Sequence, residues 1–190
     1  MMLEVLMLAA AMAAVPEPAD CRLSAADKAA NARLDFDAFD QKETLPSSAR
    51  TLVNRGCWKA AAEATQHYLI NGPLGSDRQQ RNLLFHLAQQ LANAGDEQRA
   101  VWVVAGARHP DEVLSKPGDL RWNDFVRAHW AFYAKDRPLL DRSLAAVKGG
   151  EGFGNRLNAT LVEGLIKCFD KPYLEAVSAP CRTPPADLPK

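Results

Sequence analysis

Paired helix signals divided by a turn signal return along this chain every 34–40 residues, and this recurrence narrows the possible folds more than any other feature. Asp136-Arg137-Pro138-Leu139-Leu140-Asp141 is matched 34 residues later by Asp170-Lys171-Pro172-Tyr173-Leu174-Glu175. In both copies an Asp stands where a helix N-cap is wanted, and a Pro sits in the first turn, where its missing N–H costs nothing. Toward the N-terminus, Gly95-Asp96-Glu97 and Gly56-Cys57-Trp58 occupy the same place. Apolar residues at helical spacing predict helices over 47–54, 58–70, 77–94, 96–108, 119–134, 138–147, 155–168 and 172–178, with one more over 24–41 after Ser24. The breakers between them are Arg55-Gly56, Asn71-Gly72-Pro73, Gly95-Asp96, His109-Pro110, Lys116-Pro117-Gly118, Gly149-Gly150 and Asp170-Lys171-Pro172. Strand-like alternation of useful length is absent, and 32 Ala and 23 Leu against 2 Ile favour helix over sheet. The expected class is therefore all-α, as a row of about four helical hairpins plus one N-terminal helix, or as a less regular bundle.

The ends of the chain read differently. Residues 3–14 are almost purely apolar and run into Ala11-Met12-Ala13, with small residues at the two positions that a signal peptidase reads. About 20 apolar residues are needed to cross a bilayer, and this stretch of 12 residues has 11, with Glu4 the exception. The expected organisation is a signal peptide over 1–13, a linker over 14–23, a helical domain over 24–178 and a Pro-rich tail over 179–190. Processing would leave no membrane-inserted segment, in a periplasmic or secreted protein. Four cysteines, Cys21, Cys57, Cys168 and Cys181, then suggest two disulfides with three possible pairings. Buried free thiols are the competing reading. Zinc is a weaker one, since there is no Cys-x-x-Cys and no nearby His.

In its second unit the chain resembles the tetratricopeptide repeat family, in a degenerate form that Sel1-like repeats would fit nearly as well. Leu84, Leu87, Ala88 and Leu91 stand where that family's first helix keeps its packing residues. Gly95-Asp96 matches its turn, Ala100 its small contact, and Val104 and Ala107 its later packing positions. Gly56, Ala61, Tyr68 and Pro73 repeat the pattern in the first unit. The third departs with Lys135 and Leu140, and the fourth with Phe169 and Leu174. The resemblance covers residues 45–178 and implies a short right-handed α-solenoid that binds a peptide or protein on its concave face. In that register the groove would present Arg50, Asn54, Asn82, His86, Gln89, Asn93, Trp122, His129, Tyr133 and Arg156. Trp122, His129 and Tyr133 have the alternative of packing between hairpins. A solenoid, in which each hairpin touches its neighbours, also selects Cys21–Cys57 and Cys168–Cys181 over a bond between Cys57 and Cys168.

Little else carries chemistry. With 23 basic and 23 acidic residues the chain lacks the charge excess of nucleic-acid binders. Gly149-Gly150-Glu151-Gly152-Phe153-Gly154 follows a helix and lacks Gly-Lys-Ser/Thr, so it reads as a hinge and not as a phosphate loop. The four His show no metal-binding spacing, and no cofactor motif occurs. Asp35, Asp37, Asp40 and Glu43 read as a solvated acidic face. The expected function is non-catalytic binding, as an envelope scaffold or a protective inhibitor; the alternative is an envelope hydrolase using a lone acid such as Glu63 or Glu163.

Overall fold

The computed structural model describes residues 18, 20–110 and 112–182, and among them every regular element is a helix. The expected leader lies outside the described residues, as do positions 183–190 of the tail. The elements are α1 (Ala25–Asn31), a π-helical turn (Asp37–Gln41), α2 (Ala49–Asn54), α3 (Trp58–Asn71), α4 (Asp77–Asn93), α5 (Glu97–Ala105), α6 (Trp122–Tyr133), α7 (Arg137–Lys148), α8 (Phe153–Lys167) and α9 (Tyr173–Ala176).

The hairpins α2/α3, α4/α5 and α6/α7 share one turn geometry. Gly56, Gly95 and Lys135 have φ of 73°, 87° and 55°. In each turn this residue's N–H bonds to the carbonyl three residues back, and the next N–H to the carbonyl five back. The pairs are Gly56 to Val53 and Cys57 to Leu52, Gly95 to Ala92 and Asp96 to Leu91, and Lys135 to Phe132 and Asp136 to Ala131. This is the Schellman closure, which satisfies carbonyls that a helix end leaves open. Asp96 and Asp136 then cap the next helix through the N–H groups of Arg99 and Leu139.

The single helix expected over 24–41 is instead two pieces. Asn31 is buried and its side chain donates to the Ser47 carbonyl at 2.7 Å, which ends α1 against the entry to α2. The Asp35 carboxylate then accepts the Ala38 N–H at 2.8 Å and starts a new turn. That turn drives Phe39 under Tyr68, with ring centroids 4.0 Å apart and planes nearly parallel. Phe36, Phe39, Leu52, Tyr68 and the Cys21–Cys57 disulfide form an N-terminal core. A larger core runs from α4 to α9.

The fourth hairpin breaks the pattern. After α8 the chain turns at Cys168 and the four-residue α9 packs against α4 as well as α8. The Tyr173 N–H donates to the Glu97 carboxylate at 2.7 Å, and the Tyr173 hydroxyl accepts from Gln89 at 3.2 Å. Gly164 permits this return, because a Cβ there would lie 2.9 Å from the Ala176 carbonyl and 3.3 Å from Arg182 Cα. The described path continues to Arg182, tied by the Cys168–Cys181 disulfide and by Lys167 donating to the Pro180 carbonyl at 2.7 Å. A stack limited to neighbouring hairpins would not join the fourth to the second.

Candidate functional site

Arg50 on α2 and His86, Gln89 and Asn93 on α4 meet at one cleft of about 230 Å³. The three α4 residues are spaced by one turn and two turns, so they share a helical face. The returning chain forms the opposite wall with Tyr173, Val177 and Arg182, and Trp58, Gln90 and Asp40 complete the cleft. Asp40 is the unexpected member. It belongs to the acidic cluster that reads as a solvated face, yet it is 2% exposed, while Asp35, Asp37 and Glu43 stay in water. The reason is the π-helical turn: Phe39 must enter the N-terminal core, and its neighbour is carried under α4.

At that position the Asp40 carboxylate faces His86, whose Nδ1 lies 2.8 and 3.0 Å from its two oxygens. Gln41 also donates to this carboxylate, and the Asp40 carbonyl accepts from Arg50 Nε at 2.9 Å. The pair fixes the imidazole, with Nε2 on the ring edge away from the carboxylate. Three atoms at the cleft are shut off from solvent without a hydrogen-bond partner: Gln90 Oε1, Asn93 Oδ1 and Arg182 Nε. Such groups are uncommon inside proteins and cost about 1–3 kcal/mol each when unmet.

The other residues expected in the groove lie elsewhere. Asn54 is exposed and donates to Glu43 at 2.6 Å. Asn82 and Trp122 border a different surface cavity of about 490 Å³ beside the loop carrying His109 and Leu120. Trp122 also packs edge-on to Phe85 at 5.0 Å and donates Nε1–H to the Ala107 carbonyl at 2.8 Å. Arg156 is exposed and lies over the Phe153 ring.

His129 and Tyr133 are corrections to the groove expectation, because both are buried in the main core. Phe85 and Phe125 enclose His129 edge-on at 4.8 and 4.5 Å, and Tyr173 packs 5.1 Å from Tyr133. The return of α9 therefore covers the face that helical spacing assigns to a ligand. Burial lowers the His129 pKa to about 4, opposed by its bond to the Phe125 carbonyl. Burial, with Tyr173 alongside, pushes the Tyr133 hydroxyl well above its ordinary value.

Trp58, Gln90, Tyr173 and Arg182 are site residues that the sequence does not single out, and Asp40 is one that it places in solvent. Tyr173 and Trp58 carried a signal only through the repeated turns they belong to, Asp170-Lys171-Pro172 and Gly56-Cys57-Trp58. Glu63 and Glu163 are half-exposed surface acids paired with Lys28 and Lys148. No group of His, Cys, Asp and Glu among the described residues is arranged to hold a metal ion, and no described helix is long and apolar enough to cross a membrane. Comparison with protein-family models, with curated proteins and with solved structures finds no match to this chain.

Proposed function

We propose that this is an exported binding protein, built from tetratricopeptide-like hairpins, that holds a segment of a partner protein in the cleft between α2, α4 and the C-terminal turn. Support for the repeat reading comes from the Schellman closure at Gly56, Gly95 and Lys135, one geometry at successive hairpins. Two disulfides in a 190-residue chain, together with an apolar leader, support export to an oxidising compartment, the periplasm or beyond. The observation that carries the binding reading is the convergence of Arg50, His86, Gln89 and Asn93 on one cleft, whose two arginines, Arg50 and Arg182, have no carboxylate partner among the described residues. Such groups stabilise a complex when a ligand satisfies them, and they discriminate against ligands that do not.

A photo-crosslinking amino acid at Asn93, compared with one at the exposed Trp102 on α5, tests the reading in the producing cell. A discrete protein adduct from position 93, reduced in an Arg50→Ala background, is the expected result. Adducts from position 102 alone would move the interface to the outer face.

A further inference from the structure

Arg50 and Arg182 reach the cleft from opposite walls, and neither forms an ion pair with a carboxylate among the described residues. Arg50 spends Nε on the Asp40 carbonyl, a neutral acceptor. Arg182 buries its Nε with no acceptor at all. Asp40 is the one carboxylate among the described lining residues, and His86 and Gln41 already occupy it. Two guanidinium groups thus face a space in which no acid answers them. A partly buried cation without a counter-charge is costly, and an incoming anion offsets that cost.

The other lining groups agree in sign. Gln90 and Asn93 turn their carbonyl oxygens into the protein, leaving the N–H2 of each amide as the end a ligand can reach. Guanidinium forks and amide N–H groups together match an oxygen-rich anion, since each oxygen accepts several charge-assisted hydrogen bonds. The cleft, at about 230 Å³, is smaller than the ~300–1,000 Å³ pockets that take drug-sized ligands, which favours a compact group. Both walls are held from behind. Arg182 follows Cys181 of one disulfide, and its N–H donates to the Ser178 carbonyl at 3.0 Å, while Arg50 leaves a helix packed on the core of the other.

We propose that the cleft is an oxyanion site in which Arg50 and Arg182 grip a carboxylate or phosphate group, with the amides of Gln90 and Asn93 closing on it. The inference rests on the cleft being the binding site, and it names what the partner must place there.

NMR titration of the folded, oxidised protein at low ionic strength tests this, following the Nε–H resonances of Arg50 and Arg182. The probes are inorganic phosphate, acetate, and acetamide as acetate's uncharged counterpart. The expected result is saturable shifts at both arginines with at least one anion, and at least tenfold weaker binding of acetamide. Arg50→Gln and Arg182→Gln should each weaken anion binding at least tenfold while keeping the dispersed spectrum of the folded chain. Response to phosphate alone, or to acetate as well, identifies which oxyanion the site accepts. Acetamide binding equal to acetate, or shifts that never saturate, would overturn the proposal without relying on a variant. If the anion arms fail while the adduct at position 93 persists, the oxyanion inference falls alone; loss of the adduct with anion binding intact removes the protein-partner reading instead.

Discussion

His129 sits in an apolar cage where its Nδ1 donates to the Phe125 carbonyl at 3.0 Å and its Nε2 has no partner. With a folded pKa of about 4 against 6.5 when unfolded, the unfolded chain binds a proton that the native chain refuses between those values. Stability from this residue is complete above pH 6.5 and falls as the pH drops toward 4, by about 3 kcal/mol in all. Urea midpoints at pH 7 and pH 4.5 should therefore differ less for His129→Leu than for the wild type; equal differences would place the ring in contact with water. Tyr68, Tyr133 and Tyr173 are the three tyrosines of the chain, and burial raises each, Tyr68 and Tyr173 to about 12. Ultraviolet titration should show no tyrosine ionising near pH 10 in the folded protein, with stability falling above that pH as the unfolded chain releases protons. An ionisation step near pH 10 without unfolding would contradict this packing. The Tyr133 hydroxyl has the Tyr173 side chain beside it and makes no hydrogen bond of normal geometry. Tyr133→Phe should then cost nothing measurable or add up to about 1 kcal/mol, whereas Tyr133→Ala should cost about 3–5 kcal/mol by opening a cavity. Helical spacing alone cannot separate an aromatic stripe that faces a ligand from one that another helix covers, so the sequence left both readings open for His129 and Tyr133, and burial decides for packing.

Among the elements, the turns were the most legible part of the fold, since a helix end is fixed by a few adjacent residues. Gly56 and Gly95 stand where the left-handed conformation is needed, and Asp96 and Asp136 cap α5 and α7. Lys135 shows that this turn does not require glycine: a non-glycine residue holds the same conformation at φ 55°. That conformation costs an L-residue about 1–2 kcal/mol. Its ammonium lies 4.0 Å from the Phe132 ring centroid and 3.1 Å from the Glu97 carboxylate, contacts that together contribute about 1 kcal/mol at a half-exposed site. The two effects nearly cancel, so Lys135→Gly should change stability by less than about 1 kcal/mol in a denaturant titration. A loss above about 2 kcal/mol would mean that the Lys135 contacts, and not the turn, set the geometry of this hairpin. The first element misled for a related reason. Apolar spacing continues from Leu23 to Ala38, but the break after Asn31 depends on Ser47, 16 residues away, and no local pattern registers that partner.

For the whole molecule, long-range closure was the illegible part. The contact between Gln89 and Tyr173 spans 84 residues, and it decides both which face is covered and where the cleft remains. Each wall of that cleft is backed by one disulfide, with Cα separations of 5.3 Å for Cys21–Cys57 and 5.8 Å for Cys168–Cys181. The pairing is the one that a row of hairpins would select, and the observed bonds agree with that expectation. The crosslinks close 36- and 13-residue separations, which loop entropy converts to about 4 and about 3 kcal/mol. Their local consequences differ more than these totals. Residues 173–182 hold their place through one short helix, a few side-chain bonds and the Cys168–Cys181 link. Segments with so few anchors open in local steps well below the global unfolding energy. Replacing Cys168 and Cys181 together by Ala should cost about 3 kcal/mol in global stability. It should also speed amide exchange across 173–182 far more than across α3, and weaken acetate or phosphate binding by releasing Arg182. Replacing Cys21 and Cys57 should cost as much or more globally while leaving exchange over 173–182 nearly unchanged. Equal exchange profiles in the two double variants would show that Tyr173, and not the disulfide, holds the C-terminal wall, and the wall would then need to be opened by Tyr173→Ala to expose the covered face of α4 and α6.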